Sequence, residues 1–224
     1  MTDEEISNLI AIDTLIRRKQ PFAVYRIPGE TVLRLVTQAE GTVRLIADLQ
    51  ELNGQRGFVI APFKISGECP AVLVRADGEE RLLPFSAELR EEGKNKRPVQ
   101  DKETLQTVCS EKYASRFRIF IQALRDKTFD KLVLSRSVTV GRTFPFSPSS
   151  AFQAACKRYI HSYVYLCYTP QTGMWLGSTP EVILSGGKDG WHTVALAGTQ
   201  PLQAGRLPQV WDNKNRKEQE YVTS

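Results

Sequence analysis

Apolar residues at Ile6, Leu9, Ile10, Ile12, Leu15 and Ile16 recur with helical spacing behind Thr2 and Glu5, which stand as in a capping box. They predict an amphipathic first helix that stops at Gln20-Pro21. The period then shortens to two. Phe22 to Ile27 and Thr31 to Val36 alternate around the turn Pro28-Gly29-Glu30. Val43 to Ile46, Gly57 to Ala61 and Ala71 to Arg75 follow as strands, and Asp77-Gly78 is a turn signal. This stretch reads as a meander of mostly antiparallel strands. The charged run from Glu88 to Asp101, with Gly93 and Pro98, reads as a surface linker. Beyond it Leu105, Val108, Tyr113, Phe117, Phe120, Ile121 and Leu124 predict a long helix over Glu103 to Lys127. Lys131 to Val140 alternates as a strand, and Ser147-Pro148 opens a helix through Tyr159. Strands are expected at Tyr163 to Tyr168, Gly173 to Leu176, Glu181 to Leu184 and Trp191 to Leu196, with a last helix over Asp212 to Val222. Strands and helices come in blocks rather than in βαβ alternation, so the fold class is α+β. The pattern divides the chain into an N-terminal subdomain, residues 1–102, and a second region, residues 103–224. The last helix carries no polar tail or glycine cap, so the chain is expected to be incomplete at its C-terminus.

Composition narrows the class. Apolar residues are 41% and charged residues 25% of the 224, as in a globular chain. No run approaches the roughly 18 apolar residues of a membrane helix, so no membrane partner is expected. The acidic start Met1-Thr2-Asp3-Glu4-Glu5 is unlike a secretory leader, and the expected address is cytoplasmic. Cys69, Cys109, Cys156 and Cys167 form no Cys-x-x-Cys pair and read as reduced thiols. Thirty basic residues against 25 acidic ones leave a net charge of +5. The basic runs Arg17-Arg18-Lys19 and Lys94-Asn95-Lys96-Arg97 are short and lack interleaved aromatics, so no nucleic-acid partner is expected. A small anionic substrate suits the same mild excess.

The phosphate-loop, dinucleotide, zinc-protease and serine-elbow motifs are absent, and His161 and His192 read as structural or surface residues. Four segments of the second half carry candidate chemistry. In Lys131-Leu132-Val133-Leu134-Ser135-Arg136, alternation puts Lys131 on one face with Val133 and Ser135. Burial there would favour the neutral amine, a usable general base; the alternative is a strand-end lysine reaching into solvent. Gly177-Ser178-Thr179-Pro180-Glu181 reads as a tight polar turn. Glu181 then stands before an apolar run, where partial burial would make it a general acid; otherwise it is an exposed charge. Ala195-Leu196-Ala197-Gly198-Thr199 ends in a small-residue turn suited to holding a carboxylate through backbone N–H groups, or is an ordinary turn. On the last helix Lys214 and Glu218, and Arg216 and Glu220, stand four apart. They are surface ion pairs, or Glu218 is a ligand for a hard metal.

Taken in order, Phe129 to Arg136, Leu176 to Glu181, Ala195 to Thr199 and Lys214 to Gln219 resemble the chorismate-utilising enzymes. That family includes isochorismate and salicylate synthases and the large subunits of anthranilate and aminodeoxychorismate synthases. The resemblance covers about residues 104 to 222. It implies large antiparallel-rich sheets covered by helices, chorismate as small-molecule substrate, and Mg2+. It also implies roles. Lys131 matches the lysine that activates water in members that add water, where aminating members typically have glutamine. Glu181 matches the general acid for the C4 hydroxyl. Ala197, Gly198 and Thr199 match the substrate-contacting turn, and Glu218 the first magnesium ligand. The expected activity is isochorismate synthase, feeding menaquinone or a catechol siderophore. The alternatives are salicylate synthase, an aminating chorismate enzyme, or a non-catalytic chorismate-binding fragment. Family domains continue past the position of Ser224, so the 224-residue chain alone is expected to be inactive unless the remainder is supplied.

Overall fold

The structure is a computed structural model that describes residues 3–39, 42–77, 81–84, 102–142, 145–201, 206 and 210–223. The Thr2–Glu5 capping box, Gly78 of the expected turn and the charged linker through Asp101 lie outside the described residues or side chains. Two compact units divide the chain: Met1–Leu89 with Ser147–Ser224, and Arg90–Phe146.

The larger unit is built on a five-stranded antiparallel sheet. Its strands are β1 (Phe22–Arg26), β2 (Val32–Thr37), β6 (Arg81–Pro84), β7 (Tyr163–Thr169) and β8 (Gly173–Thr179), in the order β6-β2-β1-β7-β8. β1 is central because both its edges are used, by β2 in the register Val24↔Leu35 and by β7 in the register Val24↔Leu166. Strands from either side of residue 102 therefore share one sheet. Helices α1 (Asp3–Arg17) and α3 (Pro148–Arg158) cover one face. Ile12, Phe22, Val24, Leu35, Phe152 and Leu166 form the core there. Ser147 caps α3 by accepting from the Ser150 N–H, Pro148 sits in its first turn, and the buried Ser149 hydroxyl donates to Asp13 of α1 at 2.6 Å. The opposite face meets a three-stranded sheet of β3 (Arg44–Ile46), β5 (Ala71–Arg75) and β4 (Gly57–Ile60), through Val36, Val72 and Val74 and the ring pair Tyr25 and Phe58. The architecture is α+β, as the blockwise pattern predicts.

β8 runs through Gly177, Ser178 and Thr179, so the expected tight turn there is the end of a strand. Gly177 lies opposite Tyr165, and a Cβ at 177 would stand 2.4 Å from that ring, so glycine lets the tyrosine lie across the strand. The strand expected over Glu181–Leu184 does not form; the hairpin there pairs β9 (Ser185–Gly187), just beyond it, with β10 (Gly190–His192), which keeps only the first two residues of the strand expected over Trp191–Leu196. Helix α4 (Asn213–Thr223) closes the unit.

In the smaller unit α2 (Lys102–Arg125) ends on Lys127 at φ 55°, with the Thr128 N–H bonded to the Ala123 carbonyl. This is a Schellman end with a lysine where glycine is usual. The strand expected over Lys131–Val140 does not form. Leu132 and Leu134 are half-buried and Lys131, Val133 and Ser135 exposed, but the segment has no ladder partner among the described residues. Arg136 lies over the Tyr113 ring of α2, 5.7 Å from its centroid.

Two thiols on the main sheet and its covering helix carry a pH dependence. Burial pushes Cys167 of β7 up to about 12, and burial pushes Cys156 of α3 up to about 11 against the opposing pull of the Arg26 guanidinium. Both thiols titrate near 9.0 when free of the fold. The folded state therefore favours the protonated form, and its advantage is complete below pH 9.0 and lost as pH rises toward 11 and 12. The urea midpoint should fall over that alkaline range, and less steeply in Cys167→Ala. An identical fall in both proteins would contradict the assignment.

Candidate active site

The segment leaving β10 runs beside α4. The Val194 N–H donates to the Val182 carbonyl at 3.3 Å and the Thr193 hydroxyl to the Ile183 carbonyl at 2.7 Å, which ties residues 193–194 to the strip after Glu181. Further on, the Gln219 side chain accepts from the Ala197 N–H at 3.1 Å and donates to the Ala195 carbonyl at 2.9 Å. The Asn215 side chain accepts from the Thr199 N–H at 2.7 Å. Asn215 and Gln219 are four apart and present one helix face, so the segment is bonded along α4 toward its N-terminus.

Asp212 starts the helix. Its carboxylate accepts from the Asn215 N–H at 2.8 Å, from the Asn215 side-chain amide at 2.9 Å and from the Gln200 amide at 3.1 Å. Those bonds, led by the backbone and then the side chain of Asn215, hold the Asp212 carboxyl below its usual range. Because the Asn215 NH2 group is committed to Asp212, its carbonyl oxygen is the atom left for Thr199. Gly198, at φ 75°, has the left-handed conformation that favours glycine; a Cβ there would lie 2.9 Å from the Asn215 backbone carbonyl oxygen.

Four of the five candidate positions in this unit therefore gather on one construction: Ala197, Gly198 and Thr199 are fastened to the helix that bears Glu218. Two of the three backbone N–H groups expected to hold a carboxylate are already donated, Ala197 to Gln219 and Thr199 to Asn215. The turn is built by those bonds rather than left open as a three-donor nest. Glu181 follows β8, its N–H donating to the Thr179 hydroxyl at 3.2 Å. It lines an open groove of about 460 Å³ with Thr193, Ala195 and Val222. Glu181 is exposed, so the partial burial expected to favour its protonated form is not supplied by the described residues. Lys131 belongs to the smaller unit and is exposed, so the described residues do not supply the buried strand face expected around it.

Glu218 is half-buried, and neither Lys214–Glu218 nor Arg216–Glu220 closes into an ion pair among the described residues. No group of three His, Cys, Asp or Glu side chains comes together among the described residues. One carboxylate on a rigid helix fits a magnesium ion that takes its other oxygens from substrate and water, not an ion caged by protein alone. Asn215 and Gln219 were not predicted as functional. Their four-residue spacing, inside the Lys214 to Gln219 segment that resembles the family, is the signal the sequence offers.

His161 and His192 are exposed. No described helix is long and apolar enough to cross a membrane. No curated protein and no solved structure matched the chain. A family model described as "Chorismate binding enzyme" matches residues 59–224, which spans β4 through α4 and includes every candidate residue above. The chain belongs to the chorismate binding enzyme family.

Proposed function

We propose that the protein is an isochorismate synthase, an isomerase that adds water at C2 of chorismate and expels the C4 hydroxyl. Family membership supports a chorismate-utilising role in general. The observation that carries the finer reading is Lys131, at a position where aminating relatives typically hold glutamine. A lysine amine takes a proton from water; a glutamine amide does not.

The reaction balances without redox chemistry. Lys131 takes a proton from the attacking water as the C2–O bond forms. The two ring double bonds shift by one position each, and the C4–O bond breaks. Glu181 delivers a proton to the C4 oxygen so that the hydroxyl departs as water. Solvent returns both residues to their starting states. Ala197, Gly198 and Thr199 form the backbone wall against which the substrate rests, and that wall is held by α4. Glu218 is the residue that would hold Mg2+, which when bound would supply positive charge against the ring carboxylate and help to orient the ring.

The test is incubation of the natural gene product with chorismate and Mg2+, with products separated. Isochorismate as the released product is expected. Salicylate with pyruvate would assign the protein to salicylate synthase. An aminated product in the presence of ammonia would remove Lys131 as the deciding residue. Binding without turnover would leave a chorismate-binding module.

A further inference from the structure

Asn215 and Gln219 do more than pack α4. Gln219 makes two bonds to one stretch of backbone, taking the Ala197 N–H with its amide oxygen and giving to the Ala195 carbonyl with its NH2 group. Asn215 takes the Thr199 N–H while its own amide group is held by Asp212. Gly198 sits between the two bonded N–H groups and has no side chain, which allows the turn to lie against the Asn215 backbone. Asn215 is buried and Gln219 half-buried, so these bonds are shielded from water. The two residues bracket Glu218 on the same turn of helix.

We infer that Asn215 and Gln219 are positioning residues that lock the Ala197–Thr199 turn to the Glu218 helix, so that the substrate wall and the metal carboxylate move as one body. The inference rests on the functional reading above. Neither side chain is assigned contact with chorismate; each acts through the turn.

The test uses the natural gene product, calorimetry with chorismate and Mg2+, and a thermal midpoint for every variant. Asn215→Leu and Gln219→Met keep volume and remove the bonds. Each should weaken chorismate binding about tenfold, the equivalent of one lost hydrogen bond of ordinary strength. They should also speed amide hydrogen exchange at Ala197 and Thr199. Gln219→Glu keeps the acceptor for Ala197 but loses the donor to Ala195, and should fall between wild type and Gln219→Met; it carries the test if Gln219→Met does not fold. Where turnover is measurable, KM rises more than kcat falls. A folded variant with faster exchange at the turn and wild-type affinity would overturn the inference, because the bonds would then be structural only. A wild type that binds no chorismate overturns the functional reading and this inference with it. A binding wild type with indifferent variants overturns this inference alone.

Discussion

Lys131→Gln and Glu181→Gln should each lower the rate of isochorismate formation by about 10²–10⁴-fold while chorismate still binds. Glutamine matches glutamate in shape and takes the place of lysine with a shorter, uncharged amide, but in neither case does it exchange a proton at the needed atom. Lys131→Gln should lose attack by water, and Glu181→Gln should stall at departure of the C4 hydroxyl. The two positions make this comparison clean. Both are exposed, in segments outside any described strand. Exposed substitutions away from caps and networks usually change stability by less than about 0.5 kcal/mol. A large loss of rate in a protein with an unchanged melting midpoint therefore reports on chemistry. Retained isochorismate formation in Lys131→Gln would remove the lysine as base, and undiminished turnover in Glu181→Gln would remove the glutamate as acid.

Arg26→Met should cost about 3 kcal/mol or more of folding stability. Arg26 ends the central strand β1 and is only 1% exposed. Its guanidinium donates to the carbonyls of Tyr159 at 2.6 Å, Ile160 at 3.0 Å and Ser162 at 3.2 Å, the backbone turning out of α3 into β7. The last carbonyls of a helix have no partner within it, and a buried cation is well suited to them. A methionine fills the volume but removes all three charge-assisted bonds, at about 1.5–3 kcal/mol each; the Tyr159 and Ile160 carbonyls keep the Ser162 and Gly29 N–H groups, while the Ser162 carbonyl loses its side-chain donor. Arg26→Lys keeps the charge without the planar fork and should recover part of the loss. Urea denaturation reads both. A loss below about 1 kcal/mol in Arg26→Met would mean that water or a backbone shift satisfies the turn.

The central strands and all four helices were legible because each carries its own period and punctuation. Ser147-Pro148 announces α3, and the alternation of Phe22 to Arg26 announces β1. Arg26 itself breaks that apolar pattern without signalling its purpose, since the carbonyls it serves lie more than 130 residues away in sequence. β6 was not foreseen because Arg81 to Pro84 is too short to show a period; its place is set by pairing with β2. The reverse failure occurs at Lys131 to Val140, where the alternation is plain but no neighbouring strand among the described residues supplies a ladder. Alternation specifies two faces, not a partner. The same limit explains the candidate site. The four segments could be ordered along the chain, and the turn at Gly198 could be recognised. That Asn215 and Gln219 consume two of its N–H groups depends on α4 lying beside it.

The central claim is that this family member adds water to chorismate at C2. Its most direct test is the reaction of the natural gene product with chorismate and Mg2+ in ¹⁸O-labelled water, with the product isolated and its oxygens located by mass spectrometry. The account predicts isochorismate bearing one heavy oxygen, on C2, with the enolpyruvyl ether intact. Unlabelled product, or no conversion by a protein that is folded and magnesium-saturated, would contradict it.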